Sequence, residues 1–324
     1  MSRIRQRGAA LLAAMLTVTL VATFAAAALW QQWRSIEVEA ADRTRVQSAW
    51  ILTGALDWAR LILREDRRGG ADHLGEPWAV PLQEARLSTF LAIDQSNNMD
   101  SGDADNVFLS GGITDLQSRL NVGNLVSAGV VQAEWLEIFR RLFEVLGLPQ
   151  SQLVATAENL RFAADLAVDN RNATRAALMP QRVEQLVWLG LSPETVAVLE
   201  PYLTLLPASN TTVNVNTAPA EVLYAAIPGI SLADAQRLVA ERERQHFRTV
   251  ADARALLPEG NELSDKKVNV TSAFFEVRGR LRMDQVVIEE RSIVQRQGLE
   301  VRTLHRERVA PSLPMRTPQD SLRR

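Results

Sequence analysis

The sequence predicts an α+β fold: a long N-terminal helix packed on an antiparallel sheet, with a large all-α block inserted ahead of the last strands. Three observations predict it. Residues 8–33 carry no charge, and the chain then runs on without a proline or paired glycines as far as Gly69 and Gly70. Across 126–257, apolar residues recur every three or four positions between glycines and prolines. From Lys267 the period drops to two, as in strands with one wet face.

The 324 residues suffice for a sizeable core. Lysine plus arginine number 36 against 38 acidic residues, so no general pull toward nucleic acid or anionic lipid follows. The chain has no cysteine, which excludes disulfides and thiol chemistry.

In the first element, Arg3, Arg5 and Arg7 precede the uncharged run. At about 25 residues it exceeds both the ~20 that span a bilayer and the ~7–15 of a secretory signal. Arginines on the leading side keep the N-terminus cytoplasmic and put everything after Trp33 outside. Trp30 and Trp33 fall where an interfacial aromatic belt would lie. A helix from Ala9 to Asp66 would be about 85 Å long against ~30 Å of hydrocarbon, so more than half of it projects. In the projecting half, Trp50, Ile51, Gly54, Ala55, Trp58, Leu61 and Ile62 form one face, opposed by Thr53, Asp57, Arg60 and Arg64. In a plain anchor followed by a globular domain, that face with both tryptophans would be ordinary core.

Residues 66–82 hold glycines and two prolines and read as a connection. Residues 82–94 suit a short helix or an extended segment, and pattern does not choose between them. The polar, acidic stretch 95–106 reads as an exposed loop. Short apolar runs follow, with a hairpin predicted at Gly111 and Gly112. The helical block offers a stripe of Trp135, Ile138, Phe139, Leu142, Val145 and Leu146. A second helix runs through Leu153, Leu160, Ala164 and Ala167, a third from Val183 to a stop at Pro193, and a fourth over 196–206. No strong strand signal precedes Val213. The terminal strands are expected to turn near Gly279 and Gly298, and the proline-bearing tail 311–324 to be disordered.

A basic leader ending in glycine, then a helix half apolar and half amphipathic, resembles the type IV pilin and type II secretion pseudopilin class. The resemblance implies that a prepilin peptidase cuts between Gly8 and Ala9 and methylates the new N-terminus. Most of that class carries glutamate at the fifth mature position, where this chain has Ala13. Such a carboxylate neutralises the N-terminal ammonium of a neighbour in the filament core, because an unpaired charge in hydrocarbon is costly. A subunit without it can still sit first, at the tip. The stretches "RGAALLAAM", "WILTGALDWARLILRED", "DHLGEPWAVPL", "GGITDLQSRLNVGNL", "VNVNTAPAEVLYAAIPGI" and "FFEVRGRLR" together resemble the minor pseudopilin K family of type II secretion, the general secretion pathway protein K family. In that family the missing glutamate is usual.

The resemblance implies a division into a cleaved leader (1–8), a transmembrane and assembly half-helix (9–33), and the exposed half-helix with the first strands of a pilin-like domain (34–125). An inserted α-helical domain (126–266), the last pilin-like strands (267–310) and the tail would follow. It implies a single-pass inner-membrane protein, cytoplasmic at its N-terminus and periplasmic in bulk, that enters the pseudopilus and caps its tip to support export across the outer membrane. The implied partners are minor pseudopilins of I, J and H type, the prepilin peptidase, the inner-membrane assembly platform and secreted cargo. The assembly helix would work through Ala13, Trp30, Trp33, Trp50 and Trp58.

Three further constellations bear on chemistry. Residues 213–257 look like a helix-hairpin-helix unit, with helices at 218–227 and 232–245 around Pro228, Gly229 and Ile230. Gly229 would approach a phosphate in a DNA-binding version, which gives the alternative reading of a membrane-anchored exported DNA-binding protein. Ser231 stands where a second glycine would be, and Asp234 adds a negative charge, so packing is the better reading and no nucleic acid is expected. Second, Asp94, Asp100, Asp103 and Asp105 share a flexible loop of oxygen ligands that would suit Ca²⁺, the one candidate cofactor; from the residues alone a solvated acidic loop is the better reading, and the resemblance to pseudopilins, which include calcium binders, is what favours the metal. Third, His73, His246 and His305 are widely spread, and no nucleophile, P-loop or dinucleotide motif occurs, so no enzyme is expected. Glu76 near Trp78 and Asp115 near Arg119 read as structural pairs or solvated charges.

Overall fold

The computed structural model describes residues 6–67, 70–91, 106–165, 176–258, 260–261, 263–284 and 286–310. The chain divides into two compact units, Met1–Gly54 and Ala55–Arg324. The first is helix throughout its described part. Helix α1, Gln6–Asp66, is one uninterrupted element that continues into the second unit. Its length follows from the absence of breakers, and it ends just before the glycine pair.

The second unit carries a five-stranded antiparallel sheet in sequential order. Its strands are β1 (Leu82–Arg86), β2 (Val107–Asp115), β3 (Phe274–Met283), β4 (Val286–Gln297) and β5 (Glu300–Val309). The segment left open by the sequence is therefore extended first, as β1, and then turns into the short helix α2, Leu87–Leu91. The predicted hairpin at Gly111 and Gly112 is not there: β2 runs straight through both. Gly279 is likewise no turn but lies inside β3, paired with Gly111 across the sheet. A Cβ on Gly111 would overlap the carbonyl oxygen of Arg278, so the glycine serves close backbone approach. The real turns fall at Asp284, with φ 49°, and at Gly298, with φ 60°, the latter as predicted.

Period-two alternation gives the sheet two working faces. Phe275, Val277, Val294 and Val301 pack with Trp78 against Leu56, Ala59 and Leu63 of α1. Phe274 and Ile293 pack on the other side with Leu116 and Leu206.

The sequence between β2 and β3 builds the helical block. Its helices are α3 (Ala133–Val145), α4 (Gln150–Ala163), α5 (Pro193–Leu199), α6 (Ala220–Ala226), α7 (Leu232–Arg244) and α8 (Val250–Arg254). The predicted third helix is a 3-10 segment, Val183–Leu189, closed by Gly190 at φ 101°. The predicted fourth is shorter than expected, because Pro201 follows it and Leu203–Thr204 pairs in parallel with Leu120–Asn121. A second short parallel pair joins Val213–Asn214 to Val268–Asn269. One core holds the block together, with Trp135, Phe139, Leu142 and Phe143 of α3 against Leu153, Leu186 and Leu223. Each such side chain contributes about 1.5–3 kcal/mol by leaving water.

Candidate functional site

Two parts of the molecule stand out: the exposed surface of α1 and the polar junction at its C-terminal end. In the first unit, α1 is long and apolar enough to cross a membrane. Its polar side chains suit that setting. Thr17, Thr19 and Thr23 donate their hydroxyls to carbonyls three or four residues back, at 2.8–2.9 Å, so no donor needs water. Gly8 and Ala9 lie in the opening turns of the helix, and Ala9 and Ala13 are exposed. Trp30 is 65% and Trp33 60% exposed.

In the second unit the helix faces differ from those the sequence predicts. Leu56, Ala59 and Leu63 are the buried row. Trp58, 52% exposed, and Leu61, 43% exposed, point the other way. At 100° per residue, Leu61 lies about 140–160° around the helix from each member of the buried row. Ala55 and Ile62 flank the boundary, half-buried. Trp50, in the first unit, is 74% exposed. The helix is apolar on nearly every side here, so periodicity marks an apolar helix without choosing which side meets the sheet. Arg60 fastens the buried side, donating from Nε and Nη2 to the Val301 carbonyl at 2.9 and 2.7 Å.

The end of α1 meets a buried polar network. Arg296 on β4 is 4% exposed. Its Nη1 donates to the Leu63 carbonyl at 3.2 Å and to Asp66 at 3.3 Å. Its Nη2 donates to Asp72 and, at 2.9 Å, to the Ser272 carbonyl. The guanidinium also lies 4.9 Å from the centre of the Phe275 ring. Asp72 is bound further: its other oxygen accepts from Ser272 N–H at 2.6 Å and its carbonyl from Asn214 at 3.1 Å. Asp115 accepts from Ser272, Thr217, Asn214 and the Gln117 N–H at 2.6–3.1 Å. Burial pushes the Asp115 carboxyl up from its ordinary pKa, against the pull of those hydrogen bonds. Glu76 accepts from the Trp78 indole at 2.7 Å, as the sequence suggests, whereas Asp115 finds these neutral donors and Arg119 instead faces Glu276. The "VNVNT" stretch has a role that sequence reading missed. Asn214 joins Asp72, Asp115 and Ser272, and Asn216 exchanges two hydrogen bonds of 2.9 Å with the Phe247 backbone.

The hairpin is as predicted in outline and turned to packing in detail. Gly229 has φ +79°, and a Cβ there would overlap Asn261 Oδ1. Ser231 caps α7 reciprocally with Asp234, whose carboxylate accepts the Ser231 N–H at 3.0 Å. That carboxylate occupies the place where a phosphate would meet the helix N-terminus. Arg237 is paired to Asp234 at 3.0 Å. Arg242 donates to the Val215 and Ala218 carbonyls at 2.7 and 2.6 Å, and burial pushes its pKa down to about 10.

His73 and His246, far apart in sequence, stack with ring centres 3.7 Å apart and 8° between planes. The candidate calcium ligands Asp94, Asp100, Asp103 and Asp105 lie outside the described residues.

Two family models described as type II secretion system protein K match the chain, one over 118–208 and one over 213–271. Among curated proteins, the chain is similar to the type II secretion system protein K of Pseudomonas aeruginosa, with 29% identity over 93% of this chain and 89% of the relative. That of Pectobacterium carotovorum subsp. carotovorum is 25% identical over 94% and 97%. Among solved structures, a chain of the GspK-GspI-GspJ complex from the enterotoxigenic Escherichia coli type 2 secretion system shares the fold. The TM-score is 0.61 at 17% identity, over 84% of this chain and 99% of that one.

Proposed function

Because the chain belongs to the type II secretion system protein K family, we propose that it is the minor pseudopilin that caps the pseudopilus tip. The observation that carries this reading is a helix with two apolar sides, one spent on the chain's own sheet and one left open at Trp58 and Leu61. The open side is the natural seat for the helices of I- and J-type partners, with an H-type subunit below them. The work is mechanical and not catalytic. Ala13 offers no carboxylate to the N-terminal ammonium of a subunit stacked above, which suits a first position. The helical block supplies the cap and a surface for cargo.

The reading requires a mature N-terminus at Ala9, methylated, with residues 1–8 left on the cytoplasmic side. Mass spectrometry of the membrane-fraction protein should find that terminus, and Gly8→Leu should leave the leader attached and abolish secretion. A terminus at Met1 or near Ala28 in the unaltered protein would end the proposal. Trp58→Glu is expected to weaken co-purification with I- and J-type partners by about 2 kcal/mol or more, as a central aromatic contact does. Its effect on the chain's own stability should stay within about 0.5 kcal/mol, since Trp58 is exposed. Equal losses in both measurements would mean that Trp58 serves the fold and not the assembly.

A further inference from the structure

Three carboxyl groups and one guanidinium meet where α1 ends. Asp66 closes the helix, Asp72 and Glu76 lie on the following loop, and an oxygen of each is within 4.8 Å of the others. Their side chains are only 8%, 2% and 9% exposed. Among the described residues, Arg296 is the one arginine or lysine bonded to them, and it is bound to Asp66 and Asp72. Glu76 instead takes neutral donors, the His73 N–H at 2.8 Å and the Trp78 indole at 2.7 Å. With every carboxyl ionised, the cluster would bury two uncompensated negative charges, which is costly. An oxygen of Asp66 and one of Glu76 lie within 4.8 Å in this buried setting, and two carboxyls that close gain by keeping one proton between them.

The neighbours complete the charge inventory. His73 Nε2 lies 3.9 Å from Glu76, His246 stacks on His73, and Arg248 acts on His246. Asp115 adds a more distant negative charge through Asp72. On α1 itself, Arg64 and Glu65 are about half exposed and 3.5 Å from each other.

We infer that this junction is a proton-operated latch: a proton shared by Asp66 and Glu76 holds loop 70–76 to the end of α1, and its release loosens the helical block. The block is tied to that loop at several points, among them the packing of Ala71 on its core. Asp72 N–H donates to the Val270 carbonyl at 2.9 Å, the Asp72 carbonyl accepts from Asn214, and His73 stacks on His246.

The direction of the effect follows from the shifts. Burial, then Glu76 and Asp72, raise the Asp66 pKa to about 7 against the pull of Arg296. Burial also raises Glu76. A carboxyl raised on folding contributes stability that is complete below its unfolded pKa and is lost as pH rises through the folded value. Burial lowers both histidines, so their contribution runs oppositely and is lost as pH falls below the ordinary imidazole range. The latch is therefore tightest in the window between these two transitions. It does not depend on the pseudopilin reading.

The test uses the full chain in detergent between about pH 6.5 and about pH 8.5, above the histidine transition. The thermal midpoint of the unaltered protein should fall by about 2–4 °C across that range. Amide exchange in loop 70–76 should rise beyond the intrinsic pH effect. Asp66→Asn keeps a donor for Glu76 without titrating, so it should remove the fall and be the more stable protein at the upper pH. The part of the protonated-carboxyl infrared band that disappears between the two pH values should be missing in that variant. Should Asp66→Asn not fold, Glu76→Gln serves, because it removes the charge that helps raise Asp66 and should also flatten the profile. Parallel falls in the unaltered protein and the folded variant would overturn the latch, as would a flat profile in the unaltered protein.

Discussion

Replacing Arg296 by alanine is expected to destabilise the chain by about 3–5 kcal/mol, the cost of breaking a buried ion pair by removing one partner. Four acceptors lose their donor together: Asp66, Asp72, the Leu63 carbonyl and the Ser272 carbonyl. Two of these belong to α1, one to the loop and one to the segment entering β3, so a single side chain ties three stretches of backbone. Arg296→Lys keeps the charge but not the planar fork that reaches two sides at once, and should recover only part of the loss. Urea unfolding of the full chain in detergent measures both. A loss below about 1 kcal/mol for the alanine variant would mean that water replaces the guanidinium and that the network is not structural.

Phe275→Ala should cost a similar amount, about 3–5 kcal/mol, by a different route. Phe275 is fully buried at the centre of the contact between α1 and the sheet. Trp78 meets it edge-on with ring centres 5.3 Å apart at 71°. Truncation leaves a cavity between Leu56, Leu63 and Trp78 that rigid neighbours cannot fill. The near-UV circular dichroism of Trp78 should weaken alongside the drop in unfolding midpoint. Arg296 covers the same ring, so the double variant should depart from additivity by about 0.5–3 kcal/mol. Strict additivity would show that the guanidinium and the ring do not support one another.

The elements set by local chemistry are legible in the sequence. Helix α1 follows from a run without breakers, the terminal strands from their alternation, and α3 from its stripe. What is not legible depends on distant partners. Glycine marks both tight turns and close backbone approach, and only the pairing of Gly111 with Gly279 shows that the second applies. Trp50 and Trp58 share an apolar helix with its buried row, so no periodicity assigns them to the open side. The junction is harder still. Asp72 and Arg296 are 224 residues apart and Asp115 and Ser272 are 157 apart, and each is an ordinary polar residue in its own neighbourhood. Of the candidate site, the helix could be named beforehand, whereas the network at the helix end could not.

Strand β5 forms one margin of the sheet, and Arg60 reaches that margin to occupy the Val301 carbonyl. Along the same strand stand Arg302, Arg306, Glu307 and Arg308, each engaged with a carboxylate or a basic neighbour. A margin stopped and charged in this way is a poor template for an incoming strand from another molecule. Copies crowded side by side are thereby steered away from pairing through this edge.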